Sequence, residues 1–152
     1  MSLPEIMGNY TIQLMKDEML PELKLLFGRI YPDEPELVRK LLYKNNASNH
    51  IVTVVAEEAP QIIGQANIFR KTILGEIINI GYHVDPDYRS KGVATQLVEF
   101  AIKKAREKGF SEFHIITDAK NIPACRVAEK MLFKEISLEK IENLKIYNRS
   151  IR

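Results

Sequence analysis

The sequence predicts a single α/β domain with a mixed, mostly antiparallel sheet of about six to seven strands and about four helices. Successive β-rich runs in the first half are separated by short turns, which favours an antiparallel meander. Farther along, a segment with helical spacing joins two apolar runs, as in a crossover between parallel strands. At 152 residues and 45% hydrophobic, the chain suits one core, so we assign residues 1–152 to one domain.

Apolar spacing and chain breakers place the individual elements. Strands are predicted at residues 10–15, 51–56, 62–69, 76–84, 113–117, 134–139 and 144–150. Helices are predicted at residues 16–27, between Asp33 and residue 45, at 92–108 and at 122–131. Asp33 is a suitable N-cap for the second helix, and Gly109 ends the third. Residues 58–61 and 71–75 are predicted turns, and residues 45–49 end the second helix.

The strand, loop and helix around Gly92 form the most informative segment. The apolar strand stops before Pro86, because proline has no N–H and biases its predecessor toward extended geometry. The following helix begins near Gly92, and its first N–H groups have no partners within the helix. Together with the helix dipole and the charges of Arg89 and Lys91, these donors favour a diphosphate. The alternative interpretation is a plain strand–helix connection with one glycine.

The spacing Arg89-x-x-Gly92-x-Ala94 resembles the coenzyme A loop of the GNAT superfamily of N-acetyltransferases. Upstream, residues 80–86 (Ile-Gly-Tyr-His-Val-Asp-Pro) resemble the fourth strand of that family, and residues 121–133 resemble its second signature. The Ile-Gly-Tyr strand and the Arg-Val-x-Glu-Lys segment are most similar to the branch that includes ribosomal-protein alanine N-acetyltransferases.

This resemblance implies a GNAT fold in which the fourth and fifth strands splay apart and pantetheine lies between them. It implies transfer of an acetyl group from the cosubstrate acetyl-CoA to a primary amine of a small molecule, peptide or protein. The attack is direct, without a metal or a covalent intermediate. The coenzyme-binding residues implied by the match are Tyr82, His83, Val84, Arg89, Ser90, Lys91, Gly92, Val93, Ala94, Thr95, Asn121 and Cys125. Asn121 is equally suited to be a helix N-cap.

Direct attack needs a base for the amine, and the candidates are Glu76, His83 and Asp85. In a regular strand Glu76 shares a face with Tyr82, whereas His83 faces the other way with Asn79, and a bulge would reverse this. Each candidate also has a structural interpretation. Glu76 suits a solvated strand start, His83 a half-buried strand position, and Asp85 a turn before proline.

The acid that protonates the thiolate is where the sequence departs from the family. Many members have a tyrosine where Ala128 stands, and the ribosomal-protein branch often has a serine at Ala124. Leu132 replaces a glycine that is usual before the final phenylalanine. The remaining acid candidates are Tyr82, Cys125 and also Tyr147, each of which equally suits a packed core position. The two alanines favour an alternative function, a non-catalytic module that binds acyl-CoA.

Composition limits the partners and the compartment. A net charge of +2, from 22 basic and 20 acidic residues, is too small for a nucleic-acid footprint, and no apolar run could span a membrane. The single cysteine and the absence of a signal pattern favour the cytoplasm. We expect residues 31–34 and Tyr43 to help select the amine acceptor, with the acids Asp33 and Glu34 either attracting a cationic amine or stabilising a helix start. An exposed edge of the closing strands would allow a homodimer.

Overall fold

The computed structural model describes residues 3–44, 48–72, 75–136 and 143–151. The strands are β1 (Glu5–Met7), β2 (Tyr10–Leu14), β3 (His50–Glu58), β4 (Gln61–Thr72), β5 (Glu76–Val84), β6 (Glu112–Asp118), β7 (Lys134–Ile136) and β8 (Leu144–Ser150). The α-helices are α1 (Leu20–Ile30), α2 (Pro35–Tyr43), α3 (Val93–Glu107) and α4 (Ile122–Lys130). The strands form one sheet in the order β1-β2-β3-β4-β5-β6-β8-β7.

Every neighbouring pair of strands in this sheet is antiparallel except β5 and β6, which are parallel. Helix α3 makes the crossover between that parallel pair. The predicted fold class, a mixed and mostly antiparallel sheet flanked by helices, is therefore confirmed. The described sheet has eight strands, one more than the upper expectation, because the three-residue β1 is too short to leave an alternation pattern in the sequence.

Helix starts differ most from the prediction. Residues 17–19 form a 3-10 turn, so α1 begins at Leu20 with a proline in its first turn. The prediction that Asp33 caps α2 is wrong. Pro35 opens that helix, which makes Glu34 the N-cap residue, and no side chain caps it. Strand β4 continues to Thr72, beyond the predicted turn start, while parts of the predicted segments at 45–49, 71–75 and 134–139 lie outside the described residues.

Helices cover both faces of the sheet. Helices α3 and α4 bury one apolar cluster, which includes Leu97, Ala101, Cys125 and Ala128. Helices α1 and α2 bury the other against β3 and β4, with Leu23, Leu26, Phe27, Val38, Leu41, Val55 and Ile62. The start of α3 approaches the sheet closely at Gly64, where a Cβ atom would lie 2.7 Å from Cδ1 of Leu97. This close packing places the first turn of α3 beside the end of β5.

The register between β4 and β5 is continuous from Thr72–Glu76 to Gly64–Val84, so β5 contains no bulge. The predicted alternation is therefore confirmed. Tyr82 packs with the α3–α4 cluster, whereas His83 lies against Phe27 on the α1–α2 face. A single strand thus presents candidate residues to both faces of the sheet.

Candidate active site

The β5–α3 loop (residues 85–92) leads directly into the N-terminus of α3. Ser90 and Gly92 have positive φ angles of 62° and 81°. The first bond of the helix runs from the Gln96 N–H to the Gly92 carbonyl at 3.1 Å, so the N–H groups of residues 93–95 have no acceptor within the helix. No side chain caps this end. These free donors, the dipole of a long helix and the exposed Lys91 make the helix start suitable for an anion.

Asp85 fixes the shape of this loop from within. Its carboxylate accepts from Nε of Arg29 at 2.7 Å and from the N–H of Asp87 at 2.9 Å, and it is almost completely buried. Its carbonyl accepts from the N–H of Tyr88 at 2.8 Å. Arg29 also donates to the Ile62 carbonyl at 2.7 Å, which ties α1 to β4 and to the loop. Asp85 therefore has a structural role in addition to the catalytic one considered from the sequence.

Strands β5 and β6 separate next to this loop. Within these two fully described strands the register contains one pair, Asn79–His114. Beyond it β5 still pairs with β4 as far as Val84, and β6 still pairs with β8 as far as Asp118. A gap therefore opens between residues 80–84 and the C-terminal half of β6, and we call it the strand gap.

The hydrogen bonds show which backbone groups face the strand gap. The N–H of Asp85 donates to the Ile63 carbonyl at 2.8 Å, in line with the β4–β5 register. In an antiparallel pair every second residue bonds to the partner, so His83 directs its backbone toward β4. The backbone groups of Tyr82 and Val84 consequently face the gap. The Val84 carbonyl already accepts from Nε of Arg89 at 3.3 Å.

Three sulfur or hydroxyl groups come together on the α3–α4 side of the strand gap. The hydroxyls of Tyr82 and Tyr147 are buried and have no hydrogen-bond partner within the described residues, and both side chains belong to the cluster that contains Cys125. Burial, followed by proximity to Cys125, raises the pKa of Tyr82 to about 12. Burial and the neighbouring Cys125 also raise the pKa of Tyr147. Both phenols therefore keep their protons at neutral pH.

His83 occupies the opposite face of the sheet. Its ring meets the rings of Phe27 and Tyr31 edge-on, with centroids 5.2 and 5.9 Å away. Its Nδ1 lies 3.1 Å from Oε1 of Gln65. In this orientation of the Gln65 amide its oxygen faces the ring, and because an amide oxygen only accepts, Nδ1 then carries the proton and Nε2 keeps the lone pair. Burial, with Lys44 and Arg89 nearby, lowers the pKa of His83 to about 4.

Glu76 lies far from these groups. It starts β5, whereas His83 is near its end, and residues of a strand advance by about 3.3 Å each. Its side chain is exposed and pairs with Arg70 at 3.2 Å. Of the three candidate bases, His83 and Asp85 therefore lie at the end of β5 next to the loop, whereas Glu76 lies at the other end of the strand.

Helix α4 places the remaining predicted residues. The side chain of Asn121 accepts from the N–H of Ala124 at 3.3 Å, so it does cap the helix. Cys125 and Ala128 are buried beneath it, and Ala128 is fully inaccessible. The position at which many family members carry tyrosine therefore contributes no hydroxyl here.

Two further residues of the site, Gln65 and Arg29, were not predicted from the sequence. Gln65 was detectable as one of two polar residues, with Asn67, in the otherwise apolar run 62–69, and the antiparallel register places it opposite His83. Arg29 had no such signal, because its partner Asp85 is 56 positions away in the chain.

The split sheet and the uncapped start of α3 together suit an extended, phosphate-bearing ligand that lies between two strands. Residues 15–133 match the model of the Acetyltransferase (GNAT) family, and the chain belongs to that family. In the described residues we find no helix long and apolar enough to cross a membrane.

Solved structures with the same fold include several acetyltransferases. Ribosomal-protein-alanine N-acetyltransferase from Brucella melitensis is 17% identical, with a TM-score of 0.73 over 92% of this chain and 99% of that one. Ribosomal-protein-S5-alanine acetyltransferase from Vibrio fischeri is 13% identical, with a TM-score of 0.72 over 98% and 97%. The Salmonella typhimurium protein yncA, solved with its cofactor acetyl-CoA, is 14% identical, with a TM-score of 0.72 over 95% of each chain. At these identities the likeness concerns the fold.

Proposed function

We propose that this protein is an acetyl-CoA-dependent N-acetyltransferase that acts on a primary amine. The observation that carries the proposal is the meeting of the strand gap with the start of α3 at Val84. A thioester with a long pantetheine arm needs an extended channel for the arm and an anion site at one end for the diphosphate. The chain supplies both within one strand and one loop.

The chain offers the coenzyme backbone groups at the helix start and along the strand gap. The N–H groups of residues 93–95, with those of Lys91 and Gly92, face the place proposed for the diphosphate. The backbone groups of Tyr82 and Val84 can pair with the amides of the pantetheine arm in the manner of a missing strand. Arg89 bonds to the Val84 carbonyl, so we expect its side chain to move when the arm binds.

When bound, acetyl-CoA supplies the acetyl group as a thioester whose carbonyl carbon the amine attacks. A C–N bond forms and the C–S bond breaks, while the amine loses one proton and the thiolate gains one. His83 is the base that we favour, because its Nε2 keeps a lone pair while Nδ1 contacts Gln65, and because the next residue of β5, Val84, borders the strand gap. With a pKa of about 4, the ring is neutral at pH 7 and able to accept a proton.

A tyrosine on the other face is the acid that we propose for the thiolate. Tyr147, from β8, shares the buried cluster with Ala128, and in the described part of the chain its hydroxyl interacts with the weakly hydrogen-bonding thiol of Cys125 but with no oxygen or nitrogen partner. Tyr82 offers a second hydroxyl of the same kind. Leaving a buried hydroxyl unpaired is costly, which favours a ligand atom as its partner.

Calorimetric titration with acetyl-CoA, followed by thiol release against a panel of amines, tests the proposal. We expect binding and thiol release that depends on an added amine. Tyr147→Phe and Tyr82→Phe each remove one hydroxyl and little volume, so the variant that loses the acid should show kcat lowered roughly 100-fold with the affinity for acetyl-CoA retained. Failure of acetyl-CoA to bind would contradict the proposal.

A non-catalytic acyl-CoA-binding module is the second candidate function. It is favoured by Ala124 and Ala128, which remove the hydroxyls that relatives carry on α4. Tight binding of acetyl-CoA without thiol release for any amine would support this alternative.

A further inference from the structure

Polar side chains lie on the sheet face beneath α1 and α2, where a buried surface is normally apolar. Gln65, Asn67 and Asn79 are 1%, 3% and 7% exposed and come from the two adjacent strands β4 and β5. Burial of an amide is costly unless it is hydrogen-bonded, so such a group of amides needs partners. His83 lies on the same face, opposite Gln65 in the register.

Two of these amides lack partners within the described residues. Nε2 of Gln65 and Oδ1 of Asn79 are buried without a hydrogen bond there. One is a donor and the other an acceptor. Gln65 lies directly opposite His83 in the register, and Asn79 lies four residues before His83 on the same face of β5. The pair therefore fits a ligand that carries both an N–H group and an oxygen acceptor.

Two cations face the same region. Nζ of Lys44, which follows α2, lies 5.1 Å from the ring centroid of Phe69, and Phe69 stands opposite Asn79 in the register. Lys44 pairs with no acid among the described residues, and its charge acts on His83. Arg89 approaches from the β5–α3 loop, where its charge acts on both His83 and Tyr31.

The acids around His83 do not neutralise these cations. The negative charge of Asp85 is paired with the positive charge of Arg29. Glu34 acts on Tyr31 but is exposed at the start of α2. Helix α1 contributes the apolar ring of Phe27 to this contact. The region around His83 therefore has excess positive charge.

We infer that the amine acceptor carries an anionic group, a carboxylate or a phosphate, which binds between Lys44 and Arg89 while the amine lies at His83. This inference rests on the proposed transferase function and names the class of its acceptor. The coenzyme approaches from the helix start on the α3–α4 side, so the opposite face is left for the acceptor. The acids Asp33 and Glu34, considered from the sequence as attractants for a cationic amine, are exposed, and Glu34 acts on Tyr31 at the edge of this region.

The anion would also assist the chemistry. The two cations disfavour a proton on His83, and a bound anion between them offsets that effect. An acceptor with an anionic group therefore makes His83 a stronger base at the moment of attack, whereas a neutral amine leaves it weak.

The test compares acceptors that share one amine scaffold and differ in a single group: a carboxylate, a phosphonate, a phosphate ester or the neutral carboxamide. We expect kcat/KM for at least one anionic member to exceed that of the carboxamide by 10-fold or more, and the ranking of carboxylate against phosphate-type groups identifies the anion. Lys44→Met should remove most of this preference and Lys44→Arg should keep it, while the affinity for acetyl-CoA stays within twofold in both. Lys24→Met, at an exposed position on α1, is the matched control and should keep the preference.

A second readout does not depend on turnover. In the complex with CoA, the pKa of His83 followed by NMR should rise when an anionic acceptor is added and stay unchanged with the carboxamide. Equal or better kcat/KM for neutral amines in the wild type, or a preference for anions that survives Lys44→Met, would overturn the inference and leave the transferase standing. If no amine of any kind gave thiol release, the proposed function would be refuted, and the inference with it.

Discussion

Two replacements of Gly92 test the coenzyme site, and comparing them separates the effect of charge from the effect of backbone conformation. Gly92 has φ of 81°, and a Cβ atom added there meets nothing within 4 Å, so a side chain has space but adopts a left-handed backbone. Asn and Asp tolerate that conformation better than other residues, at a cost of about 1–2 kcal/mol or less. Gly92→Asn and Gly92→Asp therefore share the same strain and nearly the same volume.

The difference between the two variants is one negative charge where the diphosphate is proposed to bind. A carboxylate about 5 Å from a phosphate charge is repelled by about 3 kcal/mol at an effective dielectric constant of about 20. This energy corresponds to a roughly 200-fold loss of affinity. In the absence of coenzyme the same carboxylate interacts favourably with the dipole of α3, so the Asp variant should be at least as stable as the Asn variant.

The assay is calorimetric titration of both variants with acetyl-CoA, CoA and adenosine 3′,5′-bisphosphate, with circular dichroism to verify folding. We expect the Asp variant to bind acetyl-CoA far more weakly than the Asn variant, and the difference to shrink as salt is added. Equal affinities of the two variants for acetyl-CoA would refute the assignment of this helix start to the diphosphate.

Three further predictions concern packing, titration and the loop. Gly64→Ala should lower the free energy of unfolding by about 1–3 kcal/mol in urea denaturation, because the new Cβ atom would lie 2.7 Å from a buried leucine methyl group. The pKa of His83 lies near 4 when folded and 6.5 when unfolded, so stability is lost as the pH falls from 6.5 to 4. Over this pH range the free energy of unfolding of the wild type should fall by up to about 3 kcal/mol more than that of His83→Asn. Identical pH profiles for the two proteins would contradict this account. Arg29→Met leaves the buried carboxylate of Asp85 without its cation and should lower the free energy of unfolding by about 1–3 kcal/mol. Arg39→Met breaks an exposed pair and should change the free energy of unfolding by less than about 0.5 kcal/mol.

The prediction of the fold succeeded where a pattern is local. The alternation in residues 76–84, the proline at position 86 and the helical spacing after Gly92 together placed β5, the loop and α3 within one or two residues. These signals are local because strand and helix periodicities arise from the backbone of consecutive residues. Helix starts were predicted less accurately: Asp33 was expected to cap α2, whereas the helix opens at Pro35 and Glu34 is its N-cap residue.

For the candidate site too, local signals could be predicted and contacts between distant residues could not. The β5–α3 loop and its spacing were visible in the sequence, as were His83 and Tyr82 on opposite faces of one strand. Whether His83, Glu76 or Asp85 could serve as base was open, because sequence alone gives neither a distance to the strand gap nor a neighbouring charge. The position of Glu76 at the far end of β5, paired with Arg70, separates it from the others.

The sequence by itself determined the order of the elements, the coenzyme-type loop and the absence of a tyrosine from α4. Only the tertiary structure decided how distant residues combine: Arg29 binds Asp85, Gln65 contacts His83, and Lys44 lies over the ring of Phe69. Local patterns follow from propensity and periodicity of neighbouring residues. Contacts between residues far apart in the chain depend on strand register and helix packing, which the whole core sets at once.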